Sequence, residues 1–341
     1  MGRMIRFVYK IPKKIVLIGN IIFAFLTLVA YGFSSYIDKV EVGEISDWYA
    51  TITNFIPHIV DLTKFKFKWI FPMFWAAFLI VFCVQKLYKT KLFLICHQSV
   101  AYNLAGIDKN FQKQYLIERH ILNQIEGIHT DGIDKKVIDD IDQMALVAQK
   151  SQKQIAYYGI AHTPLVFRMG YKIGDQGNVI LLHKKRNNSR IFEEWNKDET
   201  GINIVFEEKN AAIQSSELIV AISTSLNIQD NHLNMLQPEN KHILKFATNY
   251  IGFDCILSYK DAEHLRANIL NTIRNIDIKY NIKKIHIVIS SSVAFTFFLA
   301  QSFSPQHDPE IIVYHFERGN YPWGINMLRE SNEAYVKTEN V

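Results

Sequence analysis

Two groups of hydroxyl side chains follow apolar segments in the C-terminal part of the chain. One lies between the apolar runs 285–289 and 293–302, and the other closes the run 218–222. Where a strand ends and a helix begins, free backbone N–H groups and the helix dipole favour a phosphate, and hydroxyls add donors. A serine helix cap and a polar turn are the alternative interpretations. The two groups are Ser290, Ser291 and Ser292, and Ser223, Thr224 and Ser225.

A basic run follows a third apolar segment, 179–182, and comprises His183, Lys184, Lys185, Arg186 and Arg190. Cationic side chains there would attract phosphate groups, although a solvated hairpin explains the same residues. We place one hydroxyl group in each of two similar α/β units, with a pocket between the units. The predicted ligand-binding residues are Ser223, Thr224, Ser225, Ser290, Ser291, Ser292, Lys184, Arg186 and Tyr314.

No familiar catalytic motif accompanies these residues. The sequence contains no GxSxG, P-loop, HExxH or EF-hand pattern. His162, His286 and His315 lack a nucleophile and an acid arranged near them in the sequence. The three cysteines show neither a disulfide pattern nor a zinc-site spacing. We therefore predict a protein that is not an enzyme, with no catalytic residue, metal or cofactor.

Alternating short strands and helices must position the hydroxyl groups. Strand-like runs occur at 179–182, 218–222, 285–289 and 311–314. The run 285–289, the apolar helix 293–302 and the run 311–314 form a βαβ unit, which implies parallel strands and an α/β fold. A further helix is predicted from Asp261, because apolar residues recur there at three- and four-residue steps: Ala262, Leu265, Ile269, Ile273 and Ile276.

The preceding segment, residues 92–150, has an intermittent helical pattern. Phe111, Tyr115 and the run 121–125 keep a helical spacing, and apolar residues between Val137 and Val147 mark a second helix. We predict a helical connector that passes movement towards the N-terminus. An ordinary packing helix is the alternative interpretation.

Two long apolar runs precede the connector, at 15–33 and 69–84. Each approaches the length that a helix needs to cross a hydrocarbon core of about 30 Å. We predict a membrane hairpin over residues 1–91, with spans at about 15–35 and 67–87. A cleaved signal peptide and a pair of buried core helices are the alternatives.

Charge placement orients this hairpin. Five basic residues precede the first run without an acid among them, and Lys86, Lys89 and Lys91 follow the second. Both flanks are therefore predicted to be cytoplasmic, which makes the protein a multi-pass membrane protein with its N-terminus and its C-terminal domain on the cytoplasmic side. Although the chain carries a net charge of +5, acids slightly outnumber bases beyond Lys91. Long DNA or RNA is thus an unsuitable partner.

Two segments resemble the SAVED domain, a sensor of two fused CARF-like, Rossmann-like halves. They are Ile155–Gly170 (IAYYGIAHTPLVFRMG) and the stretch from Ile285 through IHIVISSSVAFTFFLAQSF to Trp323. On this basis residues 151–341 form the predicted sensor domain. With two preceding spans, the whole chain resembles the transmembrane SAVED effectors of CBASS anti-phage systems.

The resemblance implies the ligand and the outcome of binding. The ligand would be a cyclic di- or trinucleotide, held between the halves near the strand ends. Binding would drive a homo-oligomer to form and to disrupt the lipid bilayer of the inner membrane, which kills the infected cell. The alternatives are a membrane-tethered CARF-like enzyme that cleaves its ligand and a membrane scaffold that binds no nucleotide.

Overall fold

A computed structural model of the chain describes residues 90–102, 104, 106–129, 132–175, 179–184, 191–195, 198 and 201–338. Its contacts divide the chain into two units, Met1–Lys89 and Thr90–Val341, and the described residues belong to the second. Both predicted membrane spans lie outside the described residues. Within these ranges, no helix is long and apolar enough to cross a membrane.

The first half of the second unit is built on a six-stranded sheet of order β2-β8-β7-β6-β1-β3. Strands β3, β1, β6 and β7 run parallel, and β8 is antiparallel to β7. The elements in chain order are β1 (Thr90–Gln98), β2 (Gly106–Ile107), α1 (Lys109–Gln114), β3 (Tyr115–Asn123), β4 (Ile128–His129), β5 (Gly132–Ile133), α2 (Lys135–Lys150), β6 (Gln154–Ile160), α3 (Thr163–Ile173), β7 (Ile180–Lys184) and β8 (Ile191–Glu194).

The second half is built on a seven-stranded sheet of order β15-β14-β13-β12-β10-β11-β9. Its four central strands, β11, β10, β12 and β13, run parallel. The elements are β9 (Ile204–Lys209), β10 (Glu217–Ser223), β11 (His242–Thr248), α4 (Tyr259–Tyr280), β12 (Lys284–Ser290), α5 (Val293–Ala300), β13 (Glu310–Glu317), β14 (Asn320–Asn326) and β15 (Tyr335–Lys337). Two 3-10 helices, Asp230–Leu236 and Pro238–Asn240, precede β11.

The two halves share one topology. Each half has four parallel strands, ordered β3-β1-β6-β7 in the first half and β11-β10-β12-β13 in the second. In chain order, the second of these strands lies on one side of the first, and the third and fourth lie on the other side. A helix, α3 or α5, joins the third strand to the fourth, and an antiparallel strand follows. The predicted α/β fold is confirmed, as are the βαβ unit, the four predicted strands and the helix that contains Asp261.

The prediction that residues 92–150 are helical is wrong in two places. β1 and β3 occupy much of this segment, and both pair into the sheet of the first half. Leu92–His97 of β1 are all buried, because a central parallel strand is covered on both faces and so shows no period-two alternation. Such an apolar run cannot be told from a helix by periodicity. The helix predicted around Val137 is present as α2.

Helices α3 and α5 hold the halves together. They pack against each other, and each also contacts the other half's sheet: α3 touches β13 and β14, and α5 touches β6 and β7. Their approach is close at Gly170, where an added Cβ would lie 2.4 Å from the Phe297 carbonyl oxygen. α5 (VAFTFFLA) is apolar on all sides because both halves surround it, and one hydrophobic core runs through both halves.

Candidate functional site

The two hydroxyl groups meet at one edge of the second sheet. Ser223 and Ser290 end β10 and β12 and are direct register partners. From β10 the chain continues to β11 on one side, and from β12 it continues to β13 on the other. This is the switch point of the sheet, where open α/β sheets bind their ligands outside the carboxyl ends of the strands.

Placing one hydroxyl group in each half was therefore wrong. Both groups belong to the second half, on adjacent strands. The long intervening sequence, which contains β11 and α4, leaves β10 and returns to its neighbour β12. Sequence separation carries no information about this return, because a parallel crossover needs many residues to reach an adjacent strand.

Hydrogen bonds fix the edge formed by residues 223–225 and 290–292, which we call the serine edge. The backbone N–H groups of Thr224 and Ser225 donate to the Ser290 carbonyl oxygen, both at 2.9 Å. The Ser290 hydroxyl oxygen accepts from the Leu226 N–H at 3.0 Å. Ser292 caps α5 by accepting from the Phe295 N–H at 3.2 Å, so the cap interpretation holds for this serine. The loops after β10 and β12 are thereby tied to each other.

A cavity of about 720 Å³ opens at this edge. This volume falls within the range of about 300–1,000 Å³ typical of small-molecule sites. The second half contributes the serine edge and the start of α5, at Val293 and Ala294. The first half contributes the opposite wall through residues of β6, β7 and β8, such as Gly159, Lys184 and Phe192. The cavity therefore lies between the two halves.

The structure separates the predicted ligand-binding residues into three sets. Ser225, Ser290, Ser291, Ser292 and Lys184 line the cavity. Ser223, Thr224 and Tyr314 are buried and are not among its lining residues. Arg186 lies outside the described residues. Ser223 and Thr224 stabilise the serine edge from its buried side. The Ser223 hydroxyl oxygen accepts from the Ile228 N–H at 3.0 Å, and the Thr224 hydroxyl donates to the Ser291 hydroxyl at 2.8 Å.

Tyr314 belongs to a polar chain inside the second sheet. Its hydroxyl lies 2.8 Å from His286 Nδ1, and His286 Nε2 lies 3.0 Å from Glu217 Oε2. Hydrogen bonding to His286 lowers the pKa of Glu217 to about 2, whereas burial lowers the pKa of His286. The chain starts at Glu217, the first residue of β10, away from the carboxyl edge that carries the serines. Tyr314 is therefore placed to support the sheet.

Several cavity residues were missed by sequence reasoning, namely Tyr102, His232, Phe253, Asp254 and Phe316. They come from the loop after β1, the 3-10 helix Asp230–Leu236, the loop after β11 and the end of β13, so no local spacing links them. Three are aromatic residues with more than a third of their surface exposed: Tyr102, Phe253 and Phe316. Their aromatic residue type is the one local signal, and it does not reveal which cavity the residue faces.

A contact between two polar side chains joins the halves at the cavity. His183 Nε2 on β7 lies 3.2 Å from Asp254 Oδ1, in the loop after β11, with 6% and 12% of the two side chains exposed. The loop that carries Asp254 is also tied to the serine edge, because the Gly252 N–H donates to the Thr224 carbonyl oxygen at 2.9 Å. The first half, this loop and the serine edge are thus physically continuous.

The first half repeats the backbone arrangement of the serine edge with different side chains. There the N–H groups of Ser99 and Val100 both donate to the Ile160 carbonyl oxygen, at 3.1 and 3.4 Å. The Ser99 hydroxyl oxygen lies 2.7 Å from His162 Nδ1. The ring of His162 packs 4.7 Å from that of His315. In the first half, therefore, the corresponding edge is occupied by packed imidazole rings.

The family described as "SMODS-associated and fused to various effectors sensor domain", abbreviated SAVED, matches residues 139–327, just over half of the chain. No curated protein sequence matches the chain.

Three similar solved structures are Cap4 SAVED/CARF-domain containing receptors. That of Acinetobacter baumannii with the cyclic trinucleotide 2'3'3'-cAAA is 14% identical, with a TM-score of 0.47 over 74% of this chain and 54% of that chain. The structure of the same receptor with 3'3'3'-cAAA is 15% identical, with a TM-score of 0.48 over 74% of this chain and 54% of that chain. That of Moraxella osloensis is 14% identical, with a TM-score of 0.40 over 74% of this chain and 52% of that chain.

The match therefore spans about half the length of these receptors. The family match covers α3, β10–β14 and every described lining residue of the cavity except Tyr102. This chain belongs to the SAVED sensor-domain family.

Proposed function

We propose that this protein is a membrane-anchored sensor of a cyclic oligonucleotide, which acts in anti-phage defence. Binding of a cyclic di- or trinucleotide between the two halves leads to homo-oligomerisation and to disruption of the bacterial inner membrane. Membership of a sensor-domain family supports the sensing role. The observation that carries the proposal is the cavity at the switch point of the second half, walled by the first half.

The chemistry of this cavity suits a phosphodiester ring. Serine hydroxyls and the start of α5 offer donors to phosphate oxygens on one side. Lys184 offers a positive charge on the other, and Asp254 is the one carboxylate among the described lining residues. That carboxylate itself contacts His183, with 3.2 Å between Oδ1 and Nε2. A ring with several phosphates offers phosphate oxygens to both walls at once.

A binding experiment with the purified full chain tests the sensing role. Cyclic dinucleotides and cyclic trinucleotides, including 2'3'3'-cAAA and 3'3'3'-cAAA, are the probes. A ligand that binds only the folded protein raises its unfolding temperature by mass action. Failure of every ring in the panel to raise this temperature would refute the sensor proposal. A rise in the unfolding temperature with long RNA instead would contradict the expectation, based on the near-neutral charge beyond Lys91, that long nucleic acids do not bind.

The membrane role rests on the apolar runs and their basic flanks. We propose that residues 1–91 form the effector, with the N-terminus and the sensor domain both cytoplasmic. A reporter fused after Val341 is expected to be cytoplasmic, and a tag near Glu44 is expected to be accessible from outside. Deletion of residues 1–84 should keep ligand binding and abolish toxicity. If a tag near Glu44 is protected from reagents added outside the membrane, the proposed membrane hairpin is refuted.

We further propose that the sensor does not turn its ligand over. Support comes from the sequence, which contains no GxSxG, P-loop, HExxH or EF-hand pattern. His183 and His232 line the cavity, and these side chains favour the alternative of a ligand-cleaving enzyme. Incubating the protein with a bound ring and separating the products by chromatography distinguishes the two. Linear products that vanish in His183→Gln would establish cleavage.

A further inference from the structure

Of the three exposed aromatic side chains that line the cavity among the described residues, Tyr102 and Phe316 come from opposite halves. Tyr102, in the loop after β1, is 57% exposed, and Phe316, on β13, is 42% exposed. Resting on the function proposed above, we infer that these two rings are stacking platforms for two nucleobases of the ligand, one platform on each half.

Exposed apolar surface inside a concave site is available to an occupant. Phe192 and Tyr321 line the same cavity but are only 2% exposed, because they are packed into the protein. Tyr102 and Phe316 instead keep much of their apolar surface in water, which costs free energy in proportion to that area. A planar base covers such a ring, and every base has a π face for this contact.

Tyr102 is held in place by its backbone and by a cation. Its N–H donates to the Val100 carbonyl oxygen, and its carbonyl oxygen accepts from Gln98 Nε2, both at 2.7 Å. The Lys184 ammonium lies 4.6 Å from the centroid of its ring, a cation–π distance. A nucleotide whose base stacks on Tyr102 thus has a positive charge within reach of its phosphate.

Phe316 stands at an irregularity of the sheet. The register between β13 and β14 shifts between His315 and Glu317, the two neighbours of Phe316. Such bulges redirect side chains and are frequent beside binding sites. The Phe316 ring contacts the rings of Tyr321, at 5.3 Å, and His232, at 5.1 Å, both of which also line the cavity. These two neighbouring rings therefore fix the position of the Phe316 ring.

The arrangement selects a class of ligand. A mononucleotide can use only one platform, while a ring with two or more bases can use both and thereby connect the halves. The proposed ligand is a cyclic oligonucleotide whose bases point outward from the phosphodiester ring. Such a ligand places its phosphates on the serine edge and its bases on Tyr102 and Phe316.

Calorimetric titration of the full chain with cyclic di- and trinucleotides tests this inference. Stacking of one base on an aromatic ring is worth about 1–3 kcal/mol by alanine substitution, so Phe316→Ala and Tyr102→Ala should each raise Kd from about 5-fold to about 150-fold. Tyr102→Phe should restore binding, since it keeps the ring. Phe206→Ala is the matched control: Phe206 on β9 is 55% exposed and is not among the residues that line the cavity.

A spectroscopic readout separates stacking from general damage. A ring in which one adenine is replaced by 2-aminopurine should lose fluorescence on binding to the parent, and should regain part of it with Phe316→Ala at saturating protein. Equal Kd values for the parent and both alanine variants would overturn the stacking inference and leave the sensor function standing. Failure of the parent to bind any ring would overturn the proposed function and this inference together.

Discussion

The Thr224 hydroxyl donates a hydrogen bond to the Ser291 hydroxyl, with 2.8 Å between the two oxygens. The residues lie in different loops, after β10 and after β12, yet the contact joins them into one rigid edge. Thr224 is buried, whereas Ser291 lines the cavity. Ser291 is therefore the position at which a change reaches the proposed ligand with little effect on the core.

Ser291→Glu tests whether the serine edge binds phosphate groups of the ligand. A fixed negative charge here should raise the Kd for a cyclic trinucleotide at least about 10-fold, because like charges would meet in a partly desolvated site. The fold should tolerate the change, since an acid near a helix N-terminus is favourable. Ser216→Glu, an exposed position next to the opposite end of β10, adds the same charge as a control. Unchanged affinity in Ser291→Glu would mean that the serines only shape a loop.

The contact between His183 and Asp254 should couple the halves energetically. A double-mutant cycle with His183→Gln and Asp254→Asn, followed by urea unfolding, is expected to give an interaction free energy of about 0.5–3 kcal/mol. The pair between Lys245 and Asp230 is the control, because 66% of the Asp230 side chain is exposed and such pairs contribute at most about 1 kcal/mol. Additive single changes at His183 and Asp254 would show that the contact does not couple the halves.

Arg168 is a second link between the halves and is completely buried. It donates to both carboxylate oxygens of Asp142, at 2.8 and 2.6 Å, and to the carbonyl oxygens of Asn326 and Arg329 in the second half, at 2.8 and 3.1 Å. Removing one partner of a buried pair costs about 3–5 kcal/mol. Asp142→Ala should lower the free energy of unfolding by about this amount in a urea titration. Arg318→Ala, at an 81% exposed side chain, should change it by less than about 0.5 kcal/mol.

Gly170 permits the close approach of α3 to α5. In Gly170→Ala the new Cβ would meet the Phe297 carbonyl oxygen and the Ala300 side chain, at 2.4 and 2.9 Å. The helices must separate, and such overpacking costs about 1–3 kcal/mol. Gly106→Ala is the control, since nothing lies within 4 Å of its Cβ position. A thermal melt of Gly170→Ala that matches the parent would mean that the two helices can shift freely.

Acid should destabilise the domain through its buried histidines. Burial lowers the pKa of His97 to about 4, and burial with repulsion from His162 lowers that of His315 to about 3. Because unfolding restores values near 6.5, these histidines take up protons on unfolding below about pH 6.5. Their contribution is complete above that pH and falls as pH drops towards the folded values, by at most about 1.4 kcal/mol per pH unit for each histidine.

Urea unfolding between pH 8 and pH 4.5 measures this dependence. The free energy of unfolding should be nearly constant down to about pH 7 and should then decline. His315→Gln should reduce the slope below pH 6.5, because one proton-binding group is removed. An identical slope in the variant would show that His315 titrates equally in the folded and unfolded chains. Glu217 acts in the same direction only at lower pH, since its folded pKa of about 2 lies below its unfolded value.

The sequence by itself determined the elements whose signals are local. The apolar runs at 218–222, 285–289 and 311–314 are strands, and the segment after Asp261 is a helix. Ser292 caps α5 as its position between strand and helix indicates. Residues 139–327 carry enough of the SAVED pattern to show the family. Each of these features depends on residues that are close in the chain.

Only the tertiary structure decided which segments share a site. β1 is as apolar as a buried helix, and it is a strand because β3 and β6 pair with it from either side. The hydroxyl groups after β10 and β12 share one edge because the chain through β11 and α4 returns to the strand beside its start. Tyr102, Asp254 and Phe316 converge on one cavity because α3 and α5 pack across the two halves. Such contacts depend on burial between distant segments, which local residue types and spacing do not specify.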